Sequence, residues 1–295
     1  MNLEPLTDRR NPDEAWTDKN VDLGALSHRG HVREDNEDSY LVVRFGRSLE
    51  NLVTNLEDEL LEQSYVTTGY GMLVADGMGG VAGGEIASRL ALSKLVELVV
   101  DTSDWVLSLR RQEDVNLVLH RMTDRFLQID SAVRREADHD YTLQGMGTTL
   151  TVAAALGRDL FIGHVGDSRA YLLHGSELKQ LTTDHTLAQA LIDAGVADPD
   201  DPASRSMRHV LTAAVGSLGQ EVEPQVQRFR LQRGDQLLLC TDGLTETVDD
   251  STIADVLRDT KSAQSACQAL VDLALAGGGS DNVTVLIARF APAEQ

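Results

Sequence analysis

The sequence predicts a fold of mixed α and β structure, and three observations carry that expectation. Short runs rich in Val, Leu and Tyr recur along the chain, and two longer stretches place apolar residues on one helical face with charges opposite. Aromatic residues make up only 4% of a chain that is 42% hydrophobic, so the core is expected to be packed chiefly from Leu, Val, Ile and Ala. At 295 residues the chain can bury a substantial core, as one large domain or two ordinary ones.

Taken in order, residues 1–20 hold two prolines, many charges and no sustained period, and read as a flexible or loosely docked extension. The folded region is expected over 21–290. Val21 to Ser27, Ser39 to Phe45 and Tyr70 to Ala75 have the composition of strands. Between the second and third lies Gly46 to Gly69, where Leu49, Leu52, Leu56, Leu60 and Leu61 recur at helical spacing, so a short amphipathic insertion is expected over 46–69. Helical patterns follow over Gly83 to Val100 and Glu113 to Ala137 and should cover a sheet. Strands return at Thr148 to Leu156, Leu160 to Val165, Ala170 to Leu173 and Gln236 to Cys240. Helices are expected near Ile253 to Arg258 and Ala263 to Ala276, and Asn282 to Phe290 reads as a last strand. Thr182 to Gly219, with helical-looking Leu187 to Ala194 and a Pro/Asp-rich turn at Asp198 to Pro202, reads as a mobile excursion.

A formal net charge of -21 argues against nucleic acid or an anionic membrane as partner, because the average surface field repels both. The plainest role for the excess acid is solubility, and part of it could belong to metal ligands. Cys240 and Cys267 are the only cysteines and show no Cys-x-x-Cys spacing, which fits a reducing, cytoplasmic compartment. The start is mixed polar and charged, and the apolar stretch Leu90 to Val100 is broken by Lys94 and Glu97, so neither signal peptide nor membrane span is expected.

The chemistry is signalled where apolar strands run directly into acidic residues. Leu73-Val74-Ala75 leads into Asp76-Gly77, Leu237 to Cys240 leads through Thr241 into Asp242-Gly243, His164-Val165-Gly166 leads into Asp167-Ser168, and Asp281-Asn282 opens the final strand. Each Asp-Gly pair alone is an ordinary turn signal. Four strand-end carboxylates on one sheet framework can converge, and their repulsion is relieved by hard cations such as Mg²⁺ or Mn²⁺. Glycine after aspartate lets backbone approach, so the Gly77 carbonyl could serve as a ligand. Arg33-Glu34-Asp35-Asn36-Glu37-Asp38 stands just before a strand; alone it would be a solvated charged loop, but beside a metal centre its guanidinium could fork onto phosphate oxygens. Two cations, an arginine and an activated water would suit a phosphate ester.

These residues resemble the PPM, or type 2C, metal-dependent serine/threonine protein phosphatases. Arg33 with Asn36-Glu37-Asp38, Val74 to Gly80, Gly147-Thr148-Thr149, Val165 to Arg169, Thr241 to Leu244 and Gly279 to Asn282 match that family's motifs in order, over about Val21 to Phe290. The resemblance implies an α+β fold: a four-layer αββα sandwich of two antiparallel sheets flanked by helices, with Thr182 to Gly219 as a flap beside the site. It implies that Asp76 bridges two Mn²⁺ or Mg²⁺ ions, that Gly77 lends its carbonyl, and that Asp242 and Asp281 complete the protein ligands. Glu37 and Asp38 would hold coordinated waters, Arg33 would grip the substrate phosphate, and Asp167 with Asp242 would hold a third, weaker metal. Natural partners would be serine/threonine kinases and their targets, met by a cytoplasmic monomer. Met78 departs from the animal-type pattern, which has a histidine proposed there as general acid. The leaving-group proton would then come from a coordinated water or from a nearby histidine.

Competing readings are weaker. Gly77-x-Gly79-x-x-Ala82 mimics a dinucleotide fingerprint, but Asp76 would put negative charge where pyrophosphate should sit. The residues six after Cys240 and Cys267 are Glu246 and Leu273, not the arginine of a cysteine-based phosphatase, and there is no Gly-x-Ser-x-Gly elbow. A non-catalytic relative would be expected to lose ligands, whereas Asp76, Asp242, Asp281 and Arg33 are all present. A specialised phosphatase for anti-anti-sigma-like regulators shares the fold, and Arg33 weighs against it.

Overall fold

Apolar and β-branched residues set at a period of two form strands, and in the computed structural model such strands build two sheets. It describes residues 21–50, 64–102, 112–198, 201, 206–217 and 221–290. Among these, the strands are β1 (Val21–His28), β2 (Asp38–Glu50), β3 (Ser64–Met78), β4 (Gly147–Thr148), β5 (Leu150–Leu156), β6 (Asp159–Val165), β7 (Arg169–His174), β8 (Glu177–Gln180), β9 (Gln225–Arg230), β10 (Gln236–Cys240) and β11 (Val283–Phe290). The helices are α1 (Gly80–Val100), α2 (Gln112–His139), α3 (Leu187–Asp193), α4 (Asp242–Thr245), α5 (Asp250–Asp259) and α6 (Ala263–Ala276).

One sheet has the order β1-β11-β10-β7-β8 and the other β2-β3-β5-β6-β9, with β4 paired to β3 off that path. All of these pairings are antiparallel. Alternation along the strands sorts their side chains into three apolar layers. Tyr70, Met72 and Val74 of β3 point between the sheets, while Leu73 and Ala75 pack beneath α1 and α2. On β11, Leu286, Ala288 and Phe290 fill the space between the sheets, and Val283, Val285 and Ile287 lie beneath α5 and α6. Helices, sheet, sheet, helices is the αββα order the resemblance implied.

Local chemistry fixes where the outer helices begin. Asp249 caps α5 by accepting from the Thr252 N–H at 2.8 Å, and Ser262 caps α6 in a reciprocal box with Ser265. β10 and α6 fall on the residues the sequence pattern indicates, and most other ends shift by a few positions.

The structure departs from the sequence expectation in two places. The amphipathic insertion over 46–69 is replaced at both ends by a long hairpin, in which β2 and β3 stay in register from Asp38↔Asp76 out to Glu50↔Ser64. Its helical spacing rested on Leu52, Leu56, Leu60 and Leu61, which lie outside the described residues, as do 1–20. β8 and β9 had no counterpart in the sequence reading. The described parts of Thr182 to Gly219 include α3, capped by Thr186, and two bridges, Thr186↔Leu211 and Thr148↔Val215. The first closes the segment on itself, and the second ties it to β4, which pairs with β3.

Candidate active site

The hairpin of β2 and β3 ends with Asp38 and Asp76 directly opposite each other. Asp76 is fixed by its backbone: its N–H donates to Thr149 Oγ1 at 2.9 Å, and its carbonyl accepts from the Thr149 N–H at 2.8 Å and the Thr148 hydroxyl at 2.9 Å. From the other sheet, Asp242 starts α4 just beyond β10, and Asp281 stands two residues before β11, the neighbour of β10. Asp167 sits in the turn between β6 and β7. Arg33, Glu37, Asp76, Gly77, Asp167, Asp242 and Asp281 all line one cleft of about 460 Å³. Asp38 is buried below it, 8% exposed.

Close backbone packing makes this convergence possible. A Cβ at Gly77 would stand 2.0 Å from the Gly84 carbonyl oxygen, and one at Gly243 would stand 2.0 Å from that of Asn282. Any side chain at either position would push α1 or α4 away from the strand ends. Asn282 ties the arginine-bearing turn to β11: its Oδ1 accepts from the Glu37 N–H at 2.8 Å, and its Nδ2 donates to the carbonyls of Arg29 and Asp35, both at 2.9 Å. The turn that carries Arg33 and Glu37 is thereby held against Asp281.

The carboxyl groups crowd each other. The side chains of Asp76 and Asp242 are within hydrogen-bonding reach. Burial, reinforced by Asp38, Asp242 and Asp167, drives the Asp76 carboxyl well above the usual carboxylate range. Burial and then Asp242 push Asp167 up to about 8, and burial with Glu246 and Asp281 pushes Asp242 up to about 6. Asp38 rises to about 7 through burial, although its Oδ2 accepts from the hydroxyls of Thr284 at 2.6 Å and Thr241 at 2.9 Å. Burial also raises Glu37, against the pull of Arg33. Arg33 is 53% exposed and donates to Asp281 Oδ2 at 2.6 Å, which raises its own pKa.

This donor set fits divalent cations. Oδ1 of Asp38 and Oδ1 of Asp242 are buried with no hydrogen-bond donor, and such orphaned anionic oxygens cost free energy unless a cation meets them. The cleft offers carboxylate and carbonyl oxygen, the donors that suit Mg²⁺ and Mn²⁺. Asp76, Asp242, Asp281 and the Gly77 carbonyl are the groups able to hold them. A separate cavity of about 390 Å³ lies between β2, β3, β5 and the pair α1 and α2. It is lined mostly by Leu, Val and Phe, with no carboxylate among the described residues, so it lacks the groups for this chemistry.

Several residues at or beneath the cleft carry roles that the sequence alone does not assign. Thr149 and Asn282 stand inside matched motifs but were given no role, and Thr241 and Thr284 show their importance only through their contact with Asp38. Glu246 lies four residues after Asp242, one helical turn on, a spacing that could have singled it out. His209 enters from the excursion after α3, and no pattern in the sequence marks it; its Nδ1 lies 3.0 Å from Glu246 Oε1.

The sequence profile of the Protein phosphatase 2C family matches residues 46–275. The chain belongs to the protein phosphatase 2C family. Among family members, the serine/threonine protein phosphatase PstP of Mycobacterium tuberculosis is 37% identical over 264 residues, 90% of this chain; the chain spans only 44% of that relative's length. The protein phosphatase PhpP of Streptococcus pneumoniae is 30% identical over 269 residues, covering 90% of this chain and 96% of PhpP. The crystal structure of the PstP catalytic domain in complex with two manganese ions matches with a TM-score of 0.71 and 33% identity, over 92% of this chain and 99% of that one. Within this protein phosphatase 2C chain, Met78 lines the cleft at the position discussed above, so its thioether supplies no proton there.

Proposed function

We propose that the protein hydrolyses phosphoserine and phosphothreonine on other proteins at a binuclear Mn²⁺ or Mg²⁺ centre, reversing serine/threonine kinase signalling. The observation that carries this is the meeting of Asp76, Asp242 and Asp281, from three separate strand ends, in one cleft whose buried oxygens lack donors. Asp76, the Gly77 carbonyl, Asp242 and Asp281 would hold the two cations, and Asp167 with Asp242 would hold a third more weakly. Bound there, the cations lower the pKa of a water and neutralise the phosphoryl oxygens.

The chain's own groups do the rest. A guanidinium carries five donors in a fixed fork, so Arg33 can pair with Asp281 and still present N–H groups to a phosphoryl oxygen. Glu37 and Asp38 orient water at the cleft floor, Asp38 through Oδ1 because Oδ2 is taken by two hydroxyls. The excursion after α3 borders the cleft through His209 and Leu211, where a protein substrate would lie. A cytoplasmic, monomeric state with kinases and their targets as partners belongs to the same reading. Cys240 and Cys267, buried and outside any disulfide, fit a reducing compartment.

The test is hydrolysis of p-nitrophenyl phosphate and of a phosphothreonine peptide with Mn²⁺ and with EDTA. Turnover that needs Mn²⁺, stops with chelator and is lost in Asp76→Ala is expected. No hydrolysis of either substrate would refute the activity. Selective action on an anti-anti-sigma-like regulator, with peptides untouched, would replace the broad substrate class by a narrow one.

A further inference from the structure

The cleft contains one group that an all-oxygen centre does not use. His209, Asp242 and Glu246 each bring one ligand atom to a point, and those atoms lie within 4.8 Å of one another. They come from different places in the fold. Asp242 and Glu246 sit one helical turn apart at the end of β10, whereas His209 arrives from the excursion between α3 and β9. We propose that these three residues form a mixed nitrogen and oxygen site for a divalent transition cation, which fastens the His209 segment to α4.

The geometry favours a cation over an ion pair alone. His209 Nδ1 meets Glu246 Oε1 at 3.0 Å, so the two can satisfy each other. That pairing leaves Asp242 Oδ1 buried and without a donor. A divalent ion answers both carboxylates and takes the imidazole nitrogen as a neutral ligand. Three protein ligands leave positions open for water or a phosphoryl oxygen.

The ligand chemistry sets the metal class. Imidazole suits Zn²⁺, Fe²⁺ and Ni²⁺ best, and Mn²⁺ serves as the paramagnetic probe of the same three ligands. The site shares Asp242 with the proposed binuclear centre but adds a ligand from a segment that centre does not touch. A cation seated there would stand on the side of the cleft that His209 and Leu211 line.

The experiment is pulsed electron paramagnetic resonance of the full chain loaded with Mn²⁺, reading nitrogen hyperfine coupling, in wild type, His209→Ala and Glu246→Gln. His209 is exposed, 61% by side chain, so its replacement leaves the folded core unchanged. A coupling of imidazole type in wild type that disappears in His209→Ala and weakens in Glu246→Gln supports the site. Absence of the coupling in wild-type protein that binds Mn²⁺, or its persistence in His209→Ala, overturns the site. Hydrolysis that needs Mn²⁺ without nitrogen coupling would leave the proposed activity standing and this site refuted. A protein that binds no Mn²⁺ at all loses both.

Discussion

A half-exposed arginine paired with one member of an acidic cluster is ordinarily worth little to stability, because water screens the pair. Arg33 therefore has more to contribute to a ligand than to the fold. Its contact with Asp281 at 2.6 Å aims the guanidinium over the cleft, and Asn282 holds the turn beneath it. Arg33→Ala is expected to raise KM for a phosphopeptide by about tenfold, the lower end for a lost charged hydrogen bond, with a smaller change in kcat. Steady-state kinetics at saturating Mn²⁺ would check this, and an unchanged KM would remove Arg33 from substrate binding. At this scale the sequence was informative for acids at strand ends, since an apolar run broken by Asp-Gly states both where the chain stops being a strand and what it presents there. It was silent on His209, because a residue brought in by a loop has no period to betray its destination.

Among the elements, β6 carries a burial that has a consequence for acid stability. His164 is fully buried, with Nδ1 2.9 Å from Thr151 Oγ1 and Nε2 3.2 Å from the Thr183 carbonyl oxygen, and its ring lies 5.0 Å from that of His185. Burial, with His185 adding to it, pulls its pKa down to about 3. A depressed value means that its stability contribution is full above the ordinary histidine value of about 6.5 and is lost as pH falls from there towards 3. Over that window the unfolded chain binds a proton that the folded chain refuses, a slope of up to about 1.4 kcal/mol per pH unit. His164→Gln is expected to flatten the acid limb of a denaturation series by up to that amount, and an identical slope would show that His164 does not supply it. The elements themselves were legible in proportion to their burial. β10 and α6 are closed in on their apolar faces and were read correctly, whereas β8 and β9 lie at sheet edges and are rich in Gln, Glu, Lys and Arg. On β9, Arg228 and Arg230 both reach Asp159 of β6, a pairing that only the folded register reveals.

For the molecule as a whole, the two sheets bring their strand ends to one rim, and the electrostatic cost of that architecture depends on what neutralises it. Asp38, Asp76, Asp167 and Asp242 all have raised pKa values, with burial as the first cause and mutual repulsion adding to it. For a carboxyl whose folded value is raised, the stabilising contribution is complete below its ordinary value near 4. It is lost as pH rises through the folded values, from about 6 at Asp242 to about 8 at Asp167. In chelator the protein is therefore expected to lose stability from this cluster as pH climbs from about 4 to about 8, because folding forces protons onto groups that water would leave ionised. His164 acts in the opposite direction below about 6.5, so a single curve would mix the two. The difference between chelated and Mn²⁺-loaded protein isolates the cluster, since His164 contributes equally to both. That difference in Tm should widen steadily from pH 4 to pH 8, by binding linkage as the carboxylates deprotonate to receive the ion. Parallel curves across that range would mean that the acids of the rim do not meet a cation, and the convergence of Asp76, Asp242 and Asp281 would then need another explanation.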